Sequence, residues 1–374
     1  MKDDHLLVTA LDPDYLPPAR NAVSYLKSTG AHAELHGIAA RGGKTADTVE
    51  ALYMSLAARS VPWSAIRKPL ALVEFWFRCA WLAVTKPRGV VWLLGDAAIV
   101  SCPIFKSMGW KVCVWFLEYY KSDGPPAERL VASIAHQSAK WCDVLVAPTE
   151  VRLNLHRRAI GRHVTAVCVP NSPLATNAVD VGPSSAQGPL KIVYAGSIGT
   201  AHSLPPLVAA VAALGGAAEL VICGDVNSAE GRRVRSLVES LPGSEFIHLK
   251  GHVPYSKLLP ELLRSHIGYV VYRPESENEK FSAPSKLGEY LRAGLAVIVD
   301  ENSFLAPDIE AYGAGAVVPI DVTDEALRSV LKKYIEAPDV LASARKAARH
   351  LFETKASFER GVDRVRDVIS GKLA

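Results

Sequence analysis

Several signatures that would fix a function are missing from this chain of 374 residues. Its six cysteines (Cys79, Cys102, Cys113, Cys142, Cys168 and Cys223) include no Cys-x-x-Cys pair, so neither a zinc site nor a disulfide framework can be read. Arg41-Gly-Gly-Lys-Thr45 ends like a phosphate-binding P-loop, but Ile38 stands where that motif needs its first glycine. A polar surface turn is the expectation there. Neither half of the chain follows its first strand with Gly-x-Gly-x-x-Gly, which disfavours a Rossmann dehydrogenase. No stripe of basic and aromatic residues supports nucleic-acid binding. The charged start, Met1-Lys-Asp-Asp-His5, carries none of the marks of a secretory leader, so a reducing, cytoplasmic setting is expected. The most apolar run, Pro69–Val84, is shorter than the roughly 20 residues of a spanning helix and holds Glu74 and Arg78. A core helix is the first reading. Its basic flanks (Arg67, Lys68, Lys86, Arg88) and the aromatics Phe75, Trp76 and Phe77 keep peripheral docking at the inner face of a membrane as the second.

What is present argues for a large α/β protein. Hydrophobic residues make up 49% of the chain and charged residues 21%, enough to bury a sizeable core. The length suggests about two domains. Residues 1–180 hold 20 Lys and Arg against 15 Asp and Glu, whereas the remainder holds 22 against 23. A basic first half suits an anionic acceptor or surface, although ordinary surface variation explains it equally well. Short β-branched runs alternate with amphipathic stretches throughout, the pattern of parallel βαβ units. The alternation pauses over 176–190, rich in Pro, Gly, Ser and Asn, and then restarts. Two doubly wound domains follow, 1–175 and 191–374. A helical tail over 340–369 closes the chain, able to pack back on the first domain.

The second domain opens with Ile192-Val-Tyr-Ala-Gly-Ser-Ile-Gly199, a strand running into a glycine turn ahead of a helix. Val221-Ile-Cys-Gly-Asp225 and Leu249-Lys-Gly-His-Val-Pro254 end two further strands at the same edge. The most informative segment is Phe281-Ser-Ala-Pro-Ser-Lys-Leu-Gly-Glu-Tyr290. Pro284 suits a first helical turn, and Ser282 is a plausible cap before it. Free amides at Ser285, Lys286 and Leu287, a positive helix end and the Lys286 ammonium make a pyrophosphate site. Glu289, one turn on, is placed to accept both ribose hydroxyls. The plainer alternative is a capped surface helix whose Glu289 and Arg292 are solvated.

These segments, in this order and spacing, resemble the retaining GT-B glycosyltransferases of family four. The likeness is good over 190–300 and looser in the first half, where Val114-Trp-Phe-Leu-Glu118 and Val169-Pro-Asn-Ser-Pro173 are comparable strand-turns. It implies two Rossmann-like domains facing across a cleft, with the acceptor in the first and the nucleotide sugar in the second. Gly196, Ser197 and Gly199 would lie beneath the sugar diphosphate, with Gly224 on the same rim. Gly251, His252 and Val253 would clasp the base. Ser285, Lys286 and Leu287 would bind phosphate, and Glu289 the ribose. Glu118 is a candidate for acceptor or sugar contact, though an ordinary strand-end carboxylate is as good a reading. The implied reaction transfers a hexose from a UDP- or GDP-sugar to a polysaccharide, lipid-linked or other hydroxyl acceptor with retention. No metal and no cofactor are expected.

Two departures qualify it. Phe281 stands where the family's first glutamate is expected, eight positions before Glu289. The basic pair that often follows the glycine turn is absent, and Gly199-Thr-Ala-His-Ser-Leu204 offers only His202. Lys286 could supply the missing charge, and Glu277 or Glu279 could enter the sugar site beside Phe281 and Ser282. A nucleotide-sugar epimerase on the same scaffold and a non-catalytic nucleotide-sugar-binding subunit are the rival readings.

Overall fold

The computed structural model describes residues 4–11, 16–38, 51–53, 64–119, 125–175 and 188–373. Arg41–Thr45 and positions 176–187 of the expected linker lie outside them. The chain divides into two compact units. One is Met1–Leu174 together with Phe358–Ala374; the other is Ala175–Ser357.

The first unit is built on seven parallel strands: β1 (Asp4–Thr9), β2 (His32–Ile38), β3 (Ala51–Tyr53), β4 (Val90–Leu94), β5 (Lys111–Trp115), β6 (Val144–Ala147) and β7 (Ala166–Cys168). Their order is β3-β2-β1-β4-β5-β6-β7. Helices cover both faces, so the central strands are near-continuous apolar runs; every residue of Val90-Val-Trp-Leu-Leu94 is buried. One core lies under the Ser64–Thr85, Cys102–Ser107 and Pro126–Ser138 helices, around Phe75, Cys79, Phe105 and Leu145. The other holds Leu26, Trp92 and Trp115 beneath the Pro17–Ser28 and Phe358–Ile369 helices.

The second unit carries six parallel strands: β8 (Leu190–Ala195), β9 (Ala218–Cys223), β10 (Ile247–Leu249), β11 (Ile267–Val270), β12 (Ala296–Asp300) and β13 (Gly315–Val318), in the order β10-β9-β8-β11-β12-β13. Both sheets are therefore doubly wound, each reversing beside its first strand.

Two local expectations need correction, and one strand escaped the sequence pattern. The sequence pattern over Ala97–Ser107 reads as one helix, but the stretch forms two, Asp96–Ile99 and Cys102–Ser107, because Pro103 lacks the N–H a continuous helix needs and instead lies in the first turn of the second. The tail read as one helix breaks at Ser357, between Pro338–Leu351 with its wide turn Phe352–Ala356, and Phe358–Ile369. Phe352 and Phe358 are each fully buried but in different units, which a straight helix cannot arrange. Three-residue β3 gave no periodicity to read.

Candidate functional site

In the second unit the strand order reverses between β8 and β11, which pair through Ile267↔Ile192 and Gly268↔Val193. Doubly wound sheets bind ligands outside the carboxyl ends of their strands at such a reversal. Ala195 ends β8 there, and its N–H donates to the buried Tyr290 hydroxyl at 2.7 Å. That bond, with Leu287 and Leu291 in the core, fixes the Ser285–Arg292 helix against the edge.

Gly196 follows at φ 145°, a conformation side chains rarely adopt, and a Cβ there would lie 3.1 Å from the Lys286 Cε and Nζ. Gly224, at the end of β9, approaches so closely that an added Cβ would stand 2.5 Å from the Gly196 carbonyl oxygen. Ser197 is exposed beside them, and its carbonyl accepts from the Tyr194 hydroxyl. The turn thus brings a glycine backbone onto a lysine head.

Lys286 is the unusual residue. Its ammonium lies 4.2 Å from the centre of the Tyr194 ring and 5.3 Å from that of Tyr272, and it donates to the Tyr194 hydroxyl at 3.1 Å. Among the described residues no carboxylate pairs with it. Burial without a counter-charge pulls its pKa from the usual lysine range to about 7. Beside it, the His202 Nδ1 accepts from the Gly199 N–H at 2.9 Å, which leaves the proton on Nε2. Burial, then Lys286, lowers His202 to about 4, so the ring is neutral near pH 7. His202 also packs edge-on to Tyr272 at 4.9 Å.

Glu289 is buried rather than presented on a solvated surface. Its Oε1 accepts from the Tyr255 hydroxyl and its Oε2 from Arg292 Nη2 at 2.9 Å. Burial raises its pKa, against the opposing pull of Arg292 and Tyr255. Tyr255 is itself half exposed and opens the Tyr255–Leu263 helix after Gly251-His252-Val253. In that loop Gly251 has φ 73°, His252 is exposed and Val253 packs on the core.

Ser282 does not cap the helix. The N-cap position is Pro284, which has no side-chain acceptor, and Ser282 lies too far upstream for its hydroxyl to reach the first turn. Its N–H instead donates to the Glu279 carbonyl at 3.0 Å, closing the short Glu277–Lys280 helix. The Leu287 N–H is bonded to the Pro284 carbonyl at 3.2 Å, so the unused first-turn amides are those of Ser285 and Lys286. Ser282 lines a hollow with Glu279, Tyr272, Pro284 and Asp300. Glu277 is exposed and outside it, and Phe281 carries Lys280 Nζ 5.9 Å from its ring. Asp300, Tyr272, Tyr194 and Tyr255 were missed by motif reading. Only Asp300's position at the end of an apolar strand could have marked it. Asp300 accepts from the Tyr272 and Asn302 amides, each at 3.0 Å, and burial raises its pKa.

The first unit has its own reversal, between β1 and β4. Asp96 follows Gly95 at the end of β4, and burial, then Glu118 and Glu128, raise its carboxyl to about 7. Glu118, past the end of β5, is paired with the buried Arg152 at 3.3 Å. No cluster of His, Cys, Asp and Glu suited to a metal occurs among the described residues. The one Asp-x-Asp spacing in the sequence, Asp12-Pro-Asp14, lies outside them.

No family model and no curated protein matches the sequence. Solved structures do match over nearly its full length. A glycosyltransferase from Rickettsia africae is 16% identical, with 98% of each chain covered and a TM-score of 0.74. HepE from Anabaena, solved in complex with UDP, is 9% identical, with 98% of this chain and 100% of that one covered and a TM-score of 0.71. Sucrose-phosphate synthase from Thermosynechococcus elongatus is 12% identical, with 99% of each covered and a TM-score of 0.69. The chain has the α/β, GT-B fold of the glycosyltransferases, with two doubly wound Rossmann-like units.

Proposed function

We propose that this chain transfers a sugar from a nucleoside-diphosphate sugar, UDP-linked in the first instance, to a hydroxyl of a carbohydrate or lipid-linked acceptor. The observation that carries the reading is Lys286: an ammonium without a carboxylate partner, held on tyrosine faces under a glycine turn, at the reversal point of a doubly wound sheet. An anion there restores the charge balance that burial removes. The Ser285 and Lys286 amides and the positive helix end add donors to the same anion. The fold neighbours support the choice of UDP, since one of them is a UDP complex.

The chemistry asked of the protein is modest. Bond cleavage puts charge on the leaving diphosphate, and Lys286 with the helix amides stabilises that charge in a site already built for it. Glu289 holds the ribose, which aligns the diphosphate. In a retaining reaction the leaving phosphate takes the acceptor proton on its own side of the sugar, with no metal needed. Glu279, in the hollow beside Pro284, substitutes for the carboxylate absent at Phe281. Asp96 and Glu118 contact the acceptor in the first unit. The six free cysteines suit a cytoplasmic setting.

Phe281 also favours a second reading, a nucleotide-sugar-binding subunit without turnover. Product analysis separates the two and the epimerase as well. UDP released only when acceptor is present supports transfer, an altered UDP-sugar supports epimerisation, and binding without either supports the subunit. A thermal-shift panel of UDP-, GDP-, ADP- and dTDP-sugars that stabilises nothing would sink the donor site itself.

A further inference from the structure

The Ser64–Thr85 helix buries Phe75, Cys79, Leu82 and Ala83 against the first sheet, yet its opposite face is apolar too. Leu70, Val73, Phe77, Trp81 and Val84 recur at spacings of three and four, which places them on one stripe. All are exposed: Phe77 by 74%, Val84 by 69% and Trp81 by 55%. A water-facing helix carries polar residues on that stripe, so this face has a partner. It is not isolated. The helix packs on Cys102–Ser107, which packs on the turn holding exposed Trp141. Ten of the fifteen large apolar side chains exposed among the described residues belong to this one helical layer and its turns.

Charge identifies what covers it. Residues 64–163, which contain this layer, hold 14 Lys and Arg against 7 Asp and Glu, while the whole chain holds 42 against 38. All of the chain's positive excess therefore sits in this stretch. Arg88, Arg129, Arg158 and Arg162 are exposed in it, and the Arg78 guanidinium lies 5.9 Å from the Trp81 ring. A second copy of the chain would set one basic face against another, which repels. No helix among the described residues is long and apolar enough to cross a bilayer, so the stripe lies in the membrane plane. An apolar stripe set among basic side chains matches an anionic lipid surface, where acyl chains take the aromatics and headgroups take the arginines.

We infer that the Ser64–Thr85 helix docks this protein on anionic membranes, with Phe77 and Trp81 inserted. This does not rest on the donor-site reading, and its test needs no turnover. The intact protein is sedimented with phosphatidylcholine vesicles, with or without about one-third phosphatidylglycerol, at low salt and at 0.5 M salt. The expected result is binding to the anionic vesicles alone, at least tenfold weaker at high salt. The double variant Phe77→Ser, Trp81→Ser should lose at least tenfold in partitioning with an unchanged circular dichroism spectrum and Tm, since both side chains are exposed. The intrinsic tryptophan emission of the parent should shift to the blue on anionic vesicles, and that of the Trp81→Phe variant should shift less. No sedimentation of the parent, equal sedimentation of the variant, or a dimer in light scattering that the variant dissolves overturns the inference. So does an RNA oligonucleotide retained equally by parent and variant at a concentration that displaces both from vesicles.

Discussion

The Lys286 ammonium sits over the Tyr194 ring and donates to that ring's hydroxyl, which in turn donates to the Ser197 carbonyl. One side chain thereby ties the helix to the glycine turn, and a diphosphate would bring the opposite charge to it. Lys286→Met should weaken UDP by about 10–100-fold, the range of one charge-assisted contact, and leave uridine unchanged. Titration calorimetry with the two ligands decides it; an equal loss for uridine would mean a misfolded site.

The same lysine gives a pH signature. Its pKa is depressed in the folded, empty protein to about 7 and returns toward the ordinary value when an anion neutralises it. UDP binding should take up a proton between pH 7 and 9, and affinity should fall as pH rises through that window. The unliganded protein should gain stability over the same range, because the unfolded chain there binds more protons. Calorimetry in buffers of different ionisation enthalpy measures the uptake. A flat profile in the parent would remove Lys286 from the phosphate site. His202, already neutral, should contribute no step near pH 6.

Glu289 and Tyr255 make a separable pair. Glu289→Ala should cost a few kcal/mol of nucleotide affinity if both ribose hydroxyls bind its carboxylate. Tyr255→Phe frees one oxygen, so it should tighten UDP or leave it unaltered. The comparison ligand is a 2′,3′-dideoxynucleotide, for which Glu289→Ala should make little difference. Equal losses with both ligands would reject the ribose role.

Arg292 tests stability rather than binding. Removing it leaves Glu289 charged, buried and held by Tyr255 alone. Arg292→Ala should destabilise the protein by about 3–5 kcal/mol near pH 7, read from urea unfolding. The loss should shrink as pH falls and Glu289 takes a proton in the folded state.

Asp96 has the opposite sign from a salt-bridged carboxylate. Its folded pKa of about 7 lies above the unfolded value, so stability is lost as pH rises through that interval. Asp96→Asn should therefore raise Tm at pH 8 and change it little near pH 4. An acceptor contact adds a second readout, a raised KM for acceptor with KM for donor unmoved.

The alternation of strands and helices was legible because parallel strands buried on both faces, such as Val90–Leu94, are unbroken apolar runs. The glycine turn at Gly196 and the helix after Pro284 were legible for a related reason, since backbone approach and helix starts demand particular residues. What escaped was set by distance in three dimensions. Tyr194 and Tyr272 are 78 positions apart and come together around Lys286 and His202, while Tyr255 reaches Glu289 across 34 positions. Nothing local in Tyr255-Ser-Lys-Leu258 announces that bond. Ser282 illustrates the reverse failure, a sound local cap rule applied two residues off because Pro284 took the N-cap position itself.

The last helix has a consequence for how the protein is made. Phe358 stacks on Trp115 at 6.0 Å, and Val362 and Val365 are buried in the same core, yet they leave the ribosome after the whole of Ala175–Ser357. During synthesis the first sheet therefore waits with part of one face bare while an entire neighbouring unit is produced. That nascent surface is where a chaperone has most to shield, and a chain ending before Phe358 would keep it exposed for life.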